Sequence, residues 1–309
     1  MQYVLFIGSK VGYEAIKVLS ELNYSILHVF IEQEHSHEYE QFYERSIEKC
    51  IEANYQYRLN ATKKEIAKVV DDLQSVDYIM SFGYRRMIPE NVVRKASIAA
   101  LGTHFSPLPR YRGFAPLNWL LINGEKETAV NLFYLDKEVD NGDIVDREFV
   151  DIYYQDDINS LLDKCLVAFK KLMLRAVPML EDKTFNTEKQ DNSKATYTCA
   201  RNPEDGWINW EWSSKKIYNL VRALTYPFPG AFTYYNEEKL YIWSCEEYKI
   251  PIYEGRISGK VIKIIKDEGI VVLCGDGVVL LKDVQLQNGE RQTADKVIKS
   301  IRVTLGIKV

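Results

Sequence analysis

Of the four histidines in this 309-residue chain, three lie near the N-terminus and one, His104, stands alone. It follows the apolar run Ile98 to Leu101 and heads the segment HFSPLPRYRG, whose prolines and closing glycine spell a turn. An imidazole placed where a strand gives way to a turn suits proton transfer near neutral pH. The natural partner is a carboxylate, and Asp140, in the acidic loop Asp136 to Asp143, supplies one if folding brings two strand ends together. Such a pair fixes the ring's tautomer and favours its protonated form. Plainer readings stand beside this one: a structural histidine, and an acidic loop that is merely solvated. His35 and His37 sit in a Glu-rich stretch and read as solvated.

A second candidate is Gly8-Ser9-Lys10-Val11-Gly12, which follows an apolar run and opens a helical pattern. Backbone N–H groups and the helix dipole there can receive an anion, with Lys10 adding a point charge. The full G-x-G-x-x-G fingerprint is absent, as is an acidic ribose reader about 20 residues on, which argues against a dinucleotide. An ordinary glycine turn is the alternative. The five cysteines, Cys50, Cys165, Cys199, Cys245 and Cys274, are widely spaced and form no C-x-x-C pair, so they read as reduced thiols without zinc or redox chemistry.

The elements that must position these residues alternate. Strands are expected at Tyr3 to Ile7, Ile26 to Ile31, Tyr78 to Phe82, Ile98 to Leu101, Ala129 to Tyr134 and Ile144 to Ile152. Helices are expected at Tyr13 to Leu22, around Glu40 to Ala53, from Lys63 to Leu73 and from about Asn159 to Leu180. This is the pattern of an α/β fold with a doubly wound, mostly parallel, Rossmann-like sheet, whose ligand crevice lies at the carboxyl ends of its strands. The polar stretch Glu181 to Ala195 reads as a surface linker. Beyond Trp207 come a helix at Ser213 to Ala223, a Pro-Phe-Pro-Gly turn and about five short strands, which suggest a small OB-like β-barrel. The expected division is residues 1–182 as the catalytic domain, 183–204 as linker and 205–309 as the C-terminal domain.

Composition narrows the function. Forty Lys plus Arg against 44 Asp plus Glu gives a net charge of −4, without the basic bias that nucleic-acid binding usually shows. No apolar run approaches the ~18 residues of a membrane span, and the start MQYVLFIGSK carries no basic leader or cleavage site. A cytoplasmic protein with neither membrane nor nucleic acid as partner is expected.

The run GTHFSPLPRYRGFAPLNW from Gly102, NGE at Asn123, VDNGDIV at Val139, NPEDGWINW at Asn202, and then IYNLVRAL, PFPGAF and CGDGVVLL together resemble the N10-formyltetrahydrofolate-dependent formyltransferases. The likeness covers nearly the whole chain. Its C-terminal part looks like the domain shared by methionyl-tRNA formyltransferases and sugar N-formyltransferases, and among the latter it resembles the UDP-4-amino-4-deoxyarabinose formyltransferases. The resemblance implies formyl transfer from N10-formyltetrahydrofolate to a primary amine, without a metal. It gives His104 the oxyanion and the proton traffic, and Asp140 the orientation of His104 and help in deprotonating the amine.

For the pterin it implies backbone at Arg86, Met87 and Ile88 and the loop Glu138, Val139 and Asp140, with Phe82, Tyr84 and Leu101 as apolar wall candidates. One position departs from the family. Two residues before the histidine the family carries Asn, and here stands Gly102. Loss of one oxyanion donor costs roughly 3 kcal/mol, about a hundredfold in rate. The Thr103 hydroxyl, an ordered water beside Gly102, or an amide from elsewhere is expected to compensate.

For the acceptor, a nucleotide-linked amino sugar (UDP or dTDP) is favoured over initiator tRNA. The stretch where tRNA enzymes of the family carry basic residues holds Glu32, Glu34, Glu38, Glu40, Glu44 and Glu48. Ser9, Lys10 and Arg201 are the expected diphosphate contacts. Arg112 is either a further contact or an anchor of the turn. A binding protein that has lost catalysis is the third reading, and a homodimer is left open.

Overall fold

The computed structural model describes residues 1–22, 24–35, 38, 40–182 and 186–306. His37, linker residues Lys183, Thr184 and Phe185, and the last three residues of the expected C-terminal domain lie outside them. By its contacts the chain divides into two units. The first comprises Met1–Pro116, Glu127–Asp151 and Leu162–Cys199, and the second Leu117–Lys126, Ile152–Leu161 and Ala200–Val309.

In chain order the N-terminal elements are β1 (Gln2–Gly8), α1 (Ser9–Glu21), β2 (Ser25–Glu32), α2 (Tyr43–Glu52), β3 (Tyr57–Leu59), α3 (Lys63–Asp72), β4 (Tyr78–Phe82), α4 (Glu90–Val93), β5 (Ala99–His104), β6 (Arg112–Gly113), α5 (Pro116–Asn123), β7 (Glu127–Tyr134), β8 (Ile144–Asp151), α6 (Ile158–Asp182) and β9 (Tyr197–Thr198). The main sheet runs β3-β2-β1-β4-β5-β7-β8. It is parallel from β3 to β5, and β7 and β8 add antiparallel.

Strand order reverses between β1 and β4, the kind of switch point at whose carboxyl ends open α/β sheets take their ligands. β1 is central, and its residues Tyr3 to Ile7 are wholly buried, as a strand covered on both faces requires. On one face Val4, Phe6, Phe30, Ile79 and Ala100 pack with Ile66 and Val70 of α3. On the other, Phe82 meets Phe169 of α6 edge-on and the Tyr78 hydroxyl donates to the Leu180 carbonyl at 2.7 Å. α3 begins in a capping box, with Thr62 and Glu65 satisfying each other's backbone N–H groups, which stabilises a helix start by about 1 kcal/mol.

The second unit carries α7 (Ser214–Leu224), β10 (Ala231–Tyr235), β11 (Glu238–Glu247), β12 (Val261–Ile265), β13 (Gly269–Leu273), β14 (Val278–Leu286), β15 (Gln292–Thr293) and α8 (Ala294–Val297). Its antiparallel sheet runs β10-β11-β14-β13-β12, with β15 on β14. Residues 117–126 and 152–161, expected in the first domain, group with this unit. Asn118 of α5 donates to the Ala223 carbonyl of α7 at 2.8 Å.

Candidate active site

His104 ends β5, and Gly102 shares its face of the strand. The ring is 8% exposed. Its Nε2 lies 2.8 Å from the Tyr111 carbonyl and its Nδ1 lies 3.5 Å from Asp140 Oδ2. A carbonyl only accepts, so Nε2 carries a proton and donates it, and Nδ1 is left as the nitrogen facing the carboxylate. Asp140 Oδ2 also accepts from the Gly113 N–H at 2.8 Å. The two candidates, 36 residues apart in sequence, thus face each other. Tyr111 (φ +60°) and Asp140 (φ +51°) both hold left-handed backbone, which side chains other than glycine adopt at a cost of roughly 1–2 kcal/mol each.

The turn after His104 is strapped down by residues that the sequence reading assigned to the linker. β6 pairs with β9 in parallel, Arg112 opposite Tyr197 and Gly113 opposite Thr198. The Tyr111 N–H donates to Thr196 Oγ1 at 2.9 Å, and Thr198 Oγ1 donates to the Phe114 carbonyl at 2.7 Å. Gly113 (φ +100°) must be glycine here, since a Cβ would sit 2.7 Å from the Thr198 carbonyl oxygen. The linker reading therefore needs correction: Gln190 is buried and the 190–198 segment is a brace, because its polar side chains have buried partners far away in sequence.

Arg112 is that brace's main partner. Its guanidinium donates to Gln190 Oε1 from Nε at 3.2 Å and from Nη2 at 2.7 Å, to Asn192 Oδ1 at 2.8 Å and to the Tyr197 hydroxyl at 3.3 Å. At 1% exposure it is a structural anchor and is closed off from a diphosphate. Lys10 ends 2.7 Å from Asp163 Oδ1 in a partly exposed pair. Ser9 and Lys10 belong to the first unit and Arg201 to the second, where its guanidinium lies 4.8 Å over the Trp119 ring and donates to the Asp205 carbonyl at 2.8 Å.

The Thr103 hydroxyl does not reach the His104 side of the strand to stand in for the family Asn. Thr103 alternates to the opposite face of β5 from His104, since successive strand side chains point to opposite sides, and its buried hydroxyl has no partner. A Cβ on Gly102 would lie 2.8 Å from Leu135 Cδ2 and 3.5 Å from Phe133, so its immediate surroundings are apolar. Asn131, opposite His104 on β7, donates both amide hydrogens to the carbonyls of His104 (3.0 Å) and Ser106 (2.6 Å).

Two of the pterin-wall candidates also fall. Phe82 and Leu101 are 0% exposed and belong to the core, where buried strands put their apolar side chains. Tyr84 and Ile88 are half-buried on the core cluster that Leu135 also joins, while Met87 (53%) and Val139 (44%) are exposed and Glu138 is exposed beside them in sequence. Part of the acidic stretch is not solvated. Buried Glu34 accepts from the Phe42 N–H at 2.9 Å, and Glu38 grips Arg85 with both oxygens at 2.6 and 2.7 Å. Glu32 accepts from the Arg85 N–H at 2.7 Å and lies 3.3 Å from Arg86 Nε. Burial pushes the Glu38 carboxyl up, but the Arg85 pair outweighs it and holds it below the usual range. These glutamates fix the Arg85 backbone and the side chains of Arg85 and Arg86.

Comparison with known proteins identifies the family. Residues 4–177 match the formyl transferase family and residues 201–302 its C-terminal domain. The bifunctional polymyxin resistance protein ArnA of Wigglesworthia glossinidia brevipalpis is 33% identical over 261 residues, 81% of this chain; the chain spans only 39% of that relative's length. Among solved structures, an N-formyltransferase from Helicobacter canadensis, in complex with folinic acid and dTDP-3-aminofucose, aligns with TM-score 0.68 at 16% identity, over 91% of this chain and 98% of its own. WlaRD, a sugar 3N-formyl transferase crystallised with dTDP and 5-N-formyl-THF, aligns with TM-score 0.67 at 18% identity, over 94% and 99%. With its matches running from residue 4 to residue 302, this chain belongs to the formyl transferase family.

Proposed function

We propose that the chain transfers a formyl group from N10-formyltetrahydrofolate to the primary amine of a nucleotide-linked amino sugar, in the synthesis of a bacterial surface glycan. The observation that carries this reading is the facing of His104 Nδ1 and Asp140 Oδ2 at 3.5 Å, at the carboxyl end of β5. The ligands named for the Helicobacter canadensis enzyme and WlaRD support a formyl-folate donor and a dTDP-sugar acceptor.

The residues present fit a pterin: exposed Met87 and Val139 offer apolar faces, and the Arg85 backbone that leads into 86–88 is pinned by Glu32. When bound, the folate supplies an activated formyl carbon. The chain's own groups handle protons around it. Asp140 Oδ2 is held by the Gly113 N–H, which leaves Oδ1 to take a proton from the acceptor amine. His104 Nε2 is committed to the Tyr111 carbonyl, so Nδ1 is the ring atom that moves a proton. With Gly102 where the family carries Asn and Thr103 on the opposite face of the strand, turnover is expected to be lower by about a hundredfold than in a member that keeps the Asn.

We further read residues 205–309 as an OB-type domain, supported by the five-strand path β10 to β12, and place the enzyme in the cytoplasm, supported by the absence of any described helix long and apolar enough to cross a membrane. Leu135 filling the space beside Gly102 is the one observation that favours the altered binding protein. To test the reading, purified protein is given formyltetrahydrofolate and UDP- and dTDP-linked amino sugars. A product heavier by one formyl group, formed only with active protein, supports it. Binding of both ligands by calorimetry with no such product sinks it and leaves the binder.

A further inference from the structure

We infer that Gln190 is a positioning residue that sets the geometry of the His104–Asp140 pair. Its side chain is 6% exposed and its amide is fully used. Oε1 accepts twice from Arg112, and Nε2 donates to the carbonyls of Asp140 at 2.9 Å and Gly142 at 2.7 Å. Turning the amide over would set N–H against guanidinium and oxygen against two carbonyls, so only one orientation works. No other side chain matches this site: Glu keeps the face toward Arg112 and loses the donors, while an apolar residue leaves a buried guanidinium and two carbonyls short of partners.

The two loops joined through Gln190 are the ones that hold the pair. One is the Arg112 turn, whose Tyr111 carbonyl accepts the hydrogen bond from His104 Nε2–H and whose Gly113 N–H holds Asp140 Oδ2. The other is the Asp140–Gly142 turn itself. Each contains a residue in left-handed backbone, Tyr111 or Asp140, a conformation that persists only where surrounding bonds over-determine it. With the Gln190 donors removed, Asp140 remains tethered by the Gly113 N–H, on a turn free to relax. The contact at risk is the 3.5 Å approach of carboxylate to imidazole.

The kinetic arm of the test rests on the formyl-transfer reading; the other arm does not. Gln190→Ala and Gln190→Glu are made in the full chain, the latter keeping the acceptor for Arg112 and hence the brace. For folded Gln190→Glu, kcat is expected to fall at least tenfold with KM for donor and acceptor within twofold. Hydrogen exchange of the Gly113 amide in the ligand-free protein is expected to accelerate at least tenfold, and the His104 ring-nitrogen NMR shifts to move. Wild-type kcat in folded Gln190→Glu, or unchanged Gly113 exchange and His104 shifts, overturns the inference. Should the wild type formylate no acceptor, the formyl-transfer reading fails, and Gly113 exchange with the His104 shifts decides the role of Gln190 alone.

Discussion

The turn after β1 and the turn after β5 lie at the same edge of one sheet, and both are glycine-bearing segments with a basic residue. In the first, Gly8 serves the approach of two backbones: a Cβ there would sit 2.7 Å from the Gly83 carbonyl oxygen. Lys10 leans away to Asp163. In the second, Gly113 gives its N–H to Asp140, Tyr111 gives its carbonyl to His104, and Arg112 binds the brace. A glycine turn at a strand end therefore has two uses. What separates them is whether the polar groups around it converge on one another or disperse.

The largest expected effect breaks the second turn alone. His104→Ala is expected to lower kcat by about 10²–10⁴-fold, the range for a lost acid–base group, in protein that a melting curve shows to be folded; steady-state kinetics checks it. Next come paired glycine substitutions. Gly8→Ala and Gly113→Ala each force a Cβ against a carbonyl oxygen, and each is expected to cost about 1–3 kcal/mol in chemical denaturation. They should part in activity per folded molecule, which Gly8→Ala keeps and Gly113→Ala loses by tenfold or more.

The sequence shows most of the architecture and little of the bracing. β4 runs from Tyr78 to Phe82 as expected, because an apolar-rich run with four of its five residues buried leaves little choice. α1 begins at Ser9 and not Tyr13, since the Gly8–Gly12 turn lacks the apolar spacing that marks a helix. α5 was missed because its LNWLLIN stretch is apolar nearly all round and shows no stripe.

At the site, His104 and Asp140 could be read because their residue types imply proton chemistry. Gln190 could not: it is one polar residue in a polar stretch, and its partners Asp140 and Arg112 are 50 and 78 residues away. The failure of Thr103 was foreseeable from strand alternation alone. That of Phe82 and Leu101 was not, since an apolar residue of the core and one of a ligand wall look alike in sequence.

Two smaller effects sharpen the comparison. Lys10→Ala removes an exposed ion pair and is expected to change stability by less than about 1 kcal/mol. A rise in KM for the nucleotide sugar would return an anion role to the first turn. In β2, burial pushes the His28 imidazole down to about 4, with Arg58 adding to it, and its Nε2 has no partner. The unfolded state then binds the extra proton between roughly pH 6.5 and 4, so His28 lowers stability as pH falls through that window, by at most about 1.4 kcal/mol per pH unit. His28→Leu should flatten that limb of a stability–pH curve without moving the pH dependence of kcat.

The central claim is that His104 and Asp140 act as one unit, and a double-mutant cycle on formyl transfer tests it most directly. Rates are measured for wild type, His104→Ala, Asp140→Asn and the double variant. If the two work together, the double variant is no slower than the slower single variant, within about threefold. If the two losses multiply, each residue acts independently, and the 3.5 Å facing of imidazole and carboxylate is not the seat of the chemistry.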